Sequence, residues 1–189
     1  LSARDAQAGG EGGEIERVPG QAAWRCVNRN SLEQKKRIFA HFVSKKAFDI
    51  DGVGEKVTAL LLEQGLINTF DDLFTLTEGD FLSLEGFAEK SADNLLEAIE
   101  NSRQVQLSRF LISLSIDQVG EETAHDIALN FSSLERIMKS SQSEFENIYG
   151  IGNVVAESLF KWFQNQNNKR LIKKLLNYVT IKEEKIYSK

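Results

Sequence analysis

One short pattern recurs four times and limits what this chain can fold into. It reads DGVG at 51–54, EGFA at 85–88, DQVG at 117–120 and YGIG at 149–152, so the copies start 34, 32 and 32 residues apart. A fixed period means that one supersecondary unit has been copied. Behind each copy, apolar residues recur at helical spacing: Val57, Leu60 and Leu61; Ala92, Leu95, Leu96 and Ile99; Ala124, Ile127, Ala128 and Phe131; Ala156, Leu159, Phe160 and Phe163. Spacing of i, i+3, i+4, i+7 buries one stripe of a helix. A second level of order lies above the first. FDDLFTLTEGDFLSLEGFA (70–88) lines up with LERIMKSSQSEFENIYGIG (134–152), pairing Phe70 with Leu134, Leu73 with Ile137, Phe81 with Phe145 and Leu84 with Ile148. The even-numbered units resemble each other more than the odd ones, so two pairs of units are expected, each pair sharing a core. A single unit of about 30 residues could not bury enough surface alone. Strand-like alternation is absent, and the fold class expected is all-α.

The corner itself has a chemistry. Glycine takes positive φ freely and exposes its N–H. The helix that follows adds unpaired amides and the positive end of its dipole. Together they form a small anion cradle suited to a phosphate oxygen. The central residue (Val53, Phe87, Val119 or Ile151) is expected to plug into the core and hold the turn rigid. A single such turn is more often a plain helix–helix connection. Four in register, each keeping the plug and a small residue behind it, identify the helix-hairpin-helix motif, which grips a nucleic-acid backbone without reading bases. A nucleotide loop is excluded, since no GxGxxG or GK[ST] follows a buried strand.

The copies differ. Units one and two carry Lys56 and Lys90 after the turn, each able to add a direct phosphate contact. Unit two has Ala88 for its second glycine, which is expected to strain the turn. Unit three has Gln118 for its first glycine and Glu121–Glu122 after the turn, and reads as structural. Unit four offers Gly150, Ile151, Gly152 and Asn153 without a lysine. The candidate DNA contacts are therefore Gly52, Val53, Gly54 and Lys56; Gly86, Phe87, Ala88 and Lys90; Gly120; and Gly150, Ile151, Gly152 and Asn153. Lys35, Lys36, Arg37, Lys45 and Lys46 could flank that surface, or form an ordinary solvated helix face. With 23 basic against 28 acidic residues the chain is no generic polycation. Any nucleic-acid contact must be local.

The run WRCVNRNSLEQKKRIFAHFVSKKAFDIDGVGEKV, with EGFAEKSADNLLEAIENSR, LSIDQVGEETA and YGIGNVVAESLFKWF, resembles the bacterial NAD-dependent DNA ligases from about residue 12 to 180. The resemblance covers the C-terminal middle of such an enzyme. It implies a small four-cysteine zinc module at 1–34, a four-hairpin DNA-binding domain at 35–180, and a tail at 181–189 leading toward a BRCT domain. It further implies non-sequence-specific binding of nicked duplex, adenylation, OB and BRCT domains as partners in the intact chain, and a monomer in the bacterial cytoplasm and nucleoid. The intact enzyme would use NAD and magnesium to seal 5′-phosphate/3′-hydroxyl nicks in replication and repair. No KxDG adenylation motif occurs here, so no catalytic residue is assigned and no activity is expected of this stretch.

The zinc module departs from the family pattern. RCVNRN keeps Cys26, with Asn28 and Gln34 in place, but Ser31 stands at the fourth cysteine, Leu32 at the following proline, and Ala8 and Glu11 at the first two ligands. One thiolate cannot build a tetrahedral zinc site. No zinc is expected, and Cys26 reads as a small packed residue. A lone cysteine also excludes a disulfide framework and fits a reducing compartment. No apolar run reaches the roughly 20 residues of a membrane span. Two alternatives stay open: a helix-hairpin-helix glycosylase or nuclease, for which Asp49 and Asp126 lie near hairpins, and a repair-complex scaffold using its hairpins for packing. His41, His125, Trp24 and Trp162 read as packing or surface residues.

Overall fold

The computed structural model describes residues 15–17, 24–26 and 32–184. Ala8, Glu11 and Ser31 lie outside the described residues. Cys26 falls in β2 (Trp24–Cys26), which pairs antiparallel with β1 (Ile15–Arg17). The rest is mainly helical: α1 (Leu32–Val43), α2 (Glu55–Glu63), a 3-10 helix (Phe70–Thr75), α3 (Glu78–Leu82), α4 (Glu89–Asn101), β3 (Gln104–Gln106), α5 (Leu107–Ser113), α6 (Glu121–Phe131), α7 (Leu134–Lys139), α8 (Gln142–Glu146), α9 (Asn153–Gln164), α10 (Gln166–Leu175) and β4 (Thr180–Lys182).

The four repeats become four helix pairs, α1 on α2, α3 on α4, α5 on α6 and α8 on α9. The internal duplication is kept residue by residue. The 3-10 helix 70–75 and α7 at 134–139 occupy the same place, as do α3 at 78–82 and α8 at 142–146. Phe81 and Phe145 are both fully buried, as are Leu73 and Ile137. The apolar stripes face one continuous core that runs through both halves, except that Leu60 and Phe160, which the spacing placed on them, are only half-buried and lie outside it. Its aromatic centre is Phe42, which stacks on Phe48 and on Phe70 with ring centroids 4.3 Å apart in each case.

Polar ties lock the halves together. The Arg103 guanidinium donates to the Phe74 carbonyl at 2.9 Å and the Tyr178 carbonyl at 3.3 Å, lying over both rings. The ring N–H of His41 donates to the Ile112 carbonyl at 2.9 Å, joining α1 to α5. β3 pairs parallel with β4, and the Thr180 amide reaches the Arg103 carbonyl at 2.7 Å. Residues 181–184, assigned from sequence to a tail, thus belong to the fold. Ile181 packs against the core, and the Glu184 carboxylate accepts from the Ser108 amide at 3.2 Å and hydroxyl at 3.0 Å.

The short helices α7 and α8 begin with side-chain caps, Ser133 and Ser141. At α8 the Glu144 carboxylate accepts from the Ser141 amide at 2.7 Å and hydroxyl at 2.8 Å. The bond from the Ser141 amide, then that from its hydroxyl, holds the Glu144 carboxyl below its ordinary value of 4.5. A carboxyl depressed on folding adds stability that is present above its unfolded pKa and is lost as pH falls through the folded one. Glu144→Gln is therefore expected to flatten the acid limb of a stability-against-pH curve below about 4.5. An unaltered limb in urea melts at pH 3–5 would contradict this account of the cap.

Candidate nucleic-acid interface

All four corners share one backbone course. The plug residue donates its N–H to the carbonyl three residues back: Val53 to Ile50 at 3.2 Å, Phe87 to Leu84 at 3.4 Å, Val119 to Ile116 at 3.1 Å and Ile151 to Ile148 at 3.0 Å. The residue before the plug has positive φ each time, at 75° for Gly52, 87° for Gly86, 64° for Gln118 and 85° for Gly150. Gln118 thus holds a left-handed geometry that costs a non-glycine residue roughly 1–2 kcal/mol, and the third corner keeps its shape at that cost. Gly52 has a second constraint. A Cβ there would lie 2.8 Å from Leu95 Cδ2, so the first corner sits directly against α4.

Two expectations need correction. Ala88 does not strain its turn, because it sits at φ −121°, ψ 165°, extended backbone open to any residue. Nor are all plugs deeply set. Val53 and Ile151 are buried, whereas Phe87 and Val119 are only partly covered against the core.

The amides behind the corners are open. Gly54, Gly120 and Gly152 start α2, α6 and α9 without a side-chain cap. At α4 the Ser91 hydroxyl takes the Ala88 N–H at 2.9 Å, but among the described residues no side chain accepts from the Glu89 or Lys90 amides. Of the helices that do not follow a corner, α7 is capped by Ser133 and α10 by Asn165, whereas α5 has no cap from Gln106 and its Ser108 amide is met by the Glu184 carboxylate. Glycine at those starts thus leaves unpaired donors beside a helix dipole. Gly52, Gly54, Gly86, Ala88, Gly120, Gly150, Gly152 and Asn153 are exposed, and the Asn153 side-chain Nδ2 donates to Glu146 Oε1 at 3.0 Å.

Contacts run across the corners. Gly52 abuts α4, Lys46 ahead of corner one pairs with Glu121 behind corner three, and the Ser158 hydroxyl of α9 donates to the Asp117 carbonyl of corner three at 2.7 Å. Arg109 of α5 donates to the carbonyls of Ala47, at 2.8 Å, and Lys45, and meets Asp49 at 3.3 Å, fixing the approach to corner one. Asp49 is thereby paired with Arg109. Among the described residues no three His, Cys, Asp or Glu side chains group to hold a metal ion.

The lysines divide into two sets. Lys56 and Lys90 are exposed and form no ion pair among the described residues. Three of the five flanking cations are engaged elsewhere. Lys35 donates to Asn68 at 2.6 Å, and Lys46 pairs with Glu121. Lys36 lies between Glu63 at 2.8 Å and Glu33 at 3.0 Å, and those bonds, Glu63 first, raise its pKa above the ordinary lysine value. Arg37 and Lys45 remain exposed. One corner residue was not singled out from sequence. Tyr149 stands where the other corners carry Asp51, Glu85 and Asp117, and it is 99% exposed. That break in an otherwise acidic column was its readable signal.

Comparison with known proteins agrees with this architecture. Residues 45–101 match the SAM-like helix-hairpin-helix tandem family, and residues 109–172 match the helix-hairpin-helix motif family. The chain is 36% identical, over 94% of its length, to 27% of a DNA ligase from Geobacter metallireducens. It is 40% identical over 88% of its length to 25% of a DNA ligase from Geotalea uraniireducens. A DNA ligase from Chloroflexus aggregans is 43% identical over 87% of this chain and 24% of its own length. The chain thus spans about a quarter of these relatives.

Proposed function

For a chain built as a tandem of helix-hairpin-helix motifs and corresponding to a C-terminal part of DNA ligases, we propose that it grips duplex DNA by the sugar–phosphate backbone. The reading rests on one observation: exposed corners followed by helix starts whose amides no side chain caps. Each offers donors and a positive dipole end to a single phosphate. Fixed corners of this kind recognise the spacing of phosphates and carry no base code.

In the whole protein this stretch would hold a nicked duplex while an adenylation domain, using NAD and magnesium, seals the break. The OB and BRCT domains are the other partners of this reading, and the chain acts as a monomer without catalytic residues of its own. Zinc has no place in it, because Cys26 is the only cysteine in the sequence. Metal analysis of the purified chain is expected to return no stoichiometric zinc, and one equivalent would overturn that part.

The test is a titration of nicked duplexes of two unrelated sequences across 50–200 mM salt. Affinity should fall linearly on log–log axes, each neutralised phosphate contributing about 0.9 to the slope. Equal affinity for both sequences is expected. No binding would sink the reading, and base release or strand cleavage would favour the glycosylase or nuclease alternative.

A further inference from the structure

Two side chains at the fourth corner are out of keeping with the rest of the surface. Tyr149 is 99% exposed and Val154 is 67% exposed, the two most open of the large apolar residues described. They flank Gly150–Ile151–Gly152, one just ahead of the turn and one in the first turn of α9. The other corners carry Asp51, Glu85 and Asp117 in Tyr149's place, and Lys56, Lys90 and Glu122 two residues past the N-cap residue, where α9 has Val154. The fourth corner has thus exchanged both of its charge positions for apolar ones while keeping the exposed cradle.

We propose that Tyr149 and Val154 form an apolar contact with the deoxyribose attached to the phosphate held at the fourth corner. This deepens the backbone-grip reading and rests on it. A phosphate seated on the amides behind Gly152 brings its own sugar within one residue's reach, and the C–H faces of deoxyribose are the apolar surface covalently nearest that phosphate. An exposed aromatic gains by covering such a face, since its ring carries a large apolar area on a short, stiff side chain. A corner without lysine then binds through a contact that releases no counterion, so corner four differs from the ionic holds at corners one and two.

That division gives a signature which a merely structural tyrosine would lack. In titrations of nicked duplex, Tyr149→Ala is expected to weaken binding about tenfold, by analogy with the loss of one aromatic platform from a nucleic acid. The slope of log affinity on log salt should stay that of the unaltered chain, because no phosphate charge is left unneutralised. Tyr149→Phe should bind as the unaltered chain does. Tyr149→Asp, which restores the residue type of the other corners, should bind more weakly than Tyr149→Ala. Thermal melts of all three should coincide, given the exposure of the side chain. If the unaltered chain binds and Tyr149→Ala binds equally well, or if Tyr149→Ala lowers the salt slope by about 1, the sugar contact is wrong and the backbone grip stands. If Tyr149→Phe loses as much as Tyr149→Ala, the hydroxyl and not the ring makes the contact, and the proposal fails. If the unaltered chain does not bind at all, both readings fall together.

Discussion

Replacing Lys56 and Lys90 together by glutamate is expected to weaken nicked-duplex binding by about 10²–10⁴-fold near 0.1 M salt and to lower the log–log salt slope by about 2. Both lysines follow a corner, both are exposed, and neither forms an ion pair among the described residues. Their removal should leave the melting curve in place, since nothing in the fold leans on them. Each would add a charge-assisted bond to a phosphate already seated on helix-start amides, a contact of about 1.5–3 kcal/mol. Reversal also sets a carboxylate where an anion must sit, which adds repulsion to the lost bond. Affinity and slope both unchanged in the double variant would refute the assignment of these two residues. Loss of affinity with an unchanged slope would mean that they act through shape and not through charge.

The largest stability effect is expected at Phe42→Ala, a loss of about 3–5 kcal/mol measured by urea unfolding. Phe42 is fully buried between Phe48 and Phe70, each at 4.3 Å, and meets the edge of Phe74 at 6.4 Å. These rings come from α1, from the segment leading to corner one and from the 3-10 helix, so deletion leaves a cavity that no one element can close by moving. A whole domain is stable by only about 5–15 kcal/mol. A loss below about 1 kcal/mol would mean that the surrounding rings collapse into the space. Phe42→Leu, which keeps most of the volume, should retain most of the stability and so separates cavity formation from failure to fold.

What the sequence made legible follows from periodicity. The stripe Ala124, Ile127, Ala128 and Phe131 is buried as its spacing requires, and so are Ala156, Leu159 and Phe163. The match of 70–88 to 134–152 foresaw equivalent helices at equivalent places, because a duplicated unit must reuse its core positions. Helical spacing is a local signal, readable within about two turns. Long-range pairing leaves no such trace. β3 and β4 are three residues each, and the first pair in their register, Gln104 with Thr180, joins residues far apart in the chain. No alternation can show in so short a segment, so the end of the chain reads as a loose tail.

The candidate site divides in the same way. Gly52, Gly86 and Gly150 were legible because positive φ selects glycine, and Gln118 shows the limit of that rule. The partners of the lysines were not legible. Lys36 and Lys46 look like solvent-facing charges in the sequence, but folding sets Glu63 and Glu121 against them. The side chain of Tyr149 could be singled out only by comparing the corners column by column, since nothing in its own neighbourhood marks it.

The closing strand has a consequence for how the two halves behave. Residues 102–106 are the only covalent crossing from the second hairpin to the third, and the returning chain is fastened to that crossing through Arg103, Tyr178 and Thr180. Parting the first half from the second would therefore break the Arg103–Tyr178 and Thr180–Arg103 bonds and the β3–β4 pairing together, so the end of the chain acts as a clasp on the crossing.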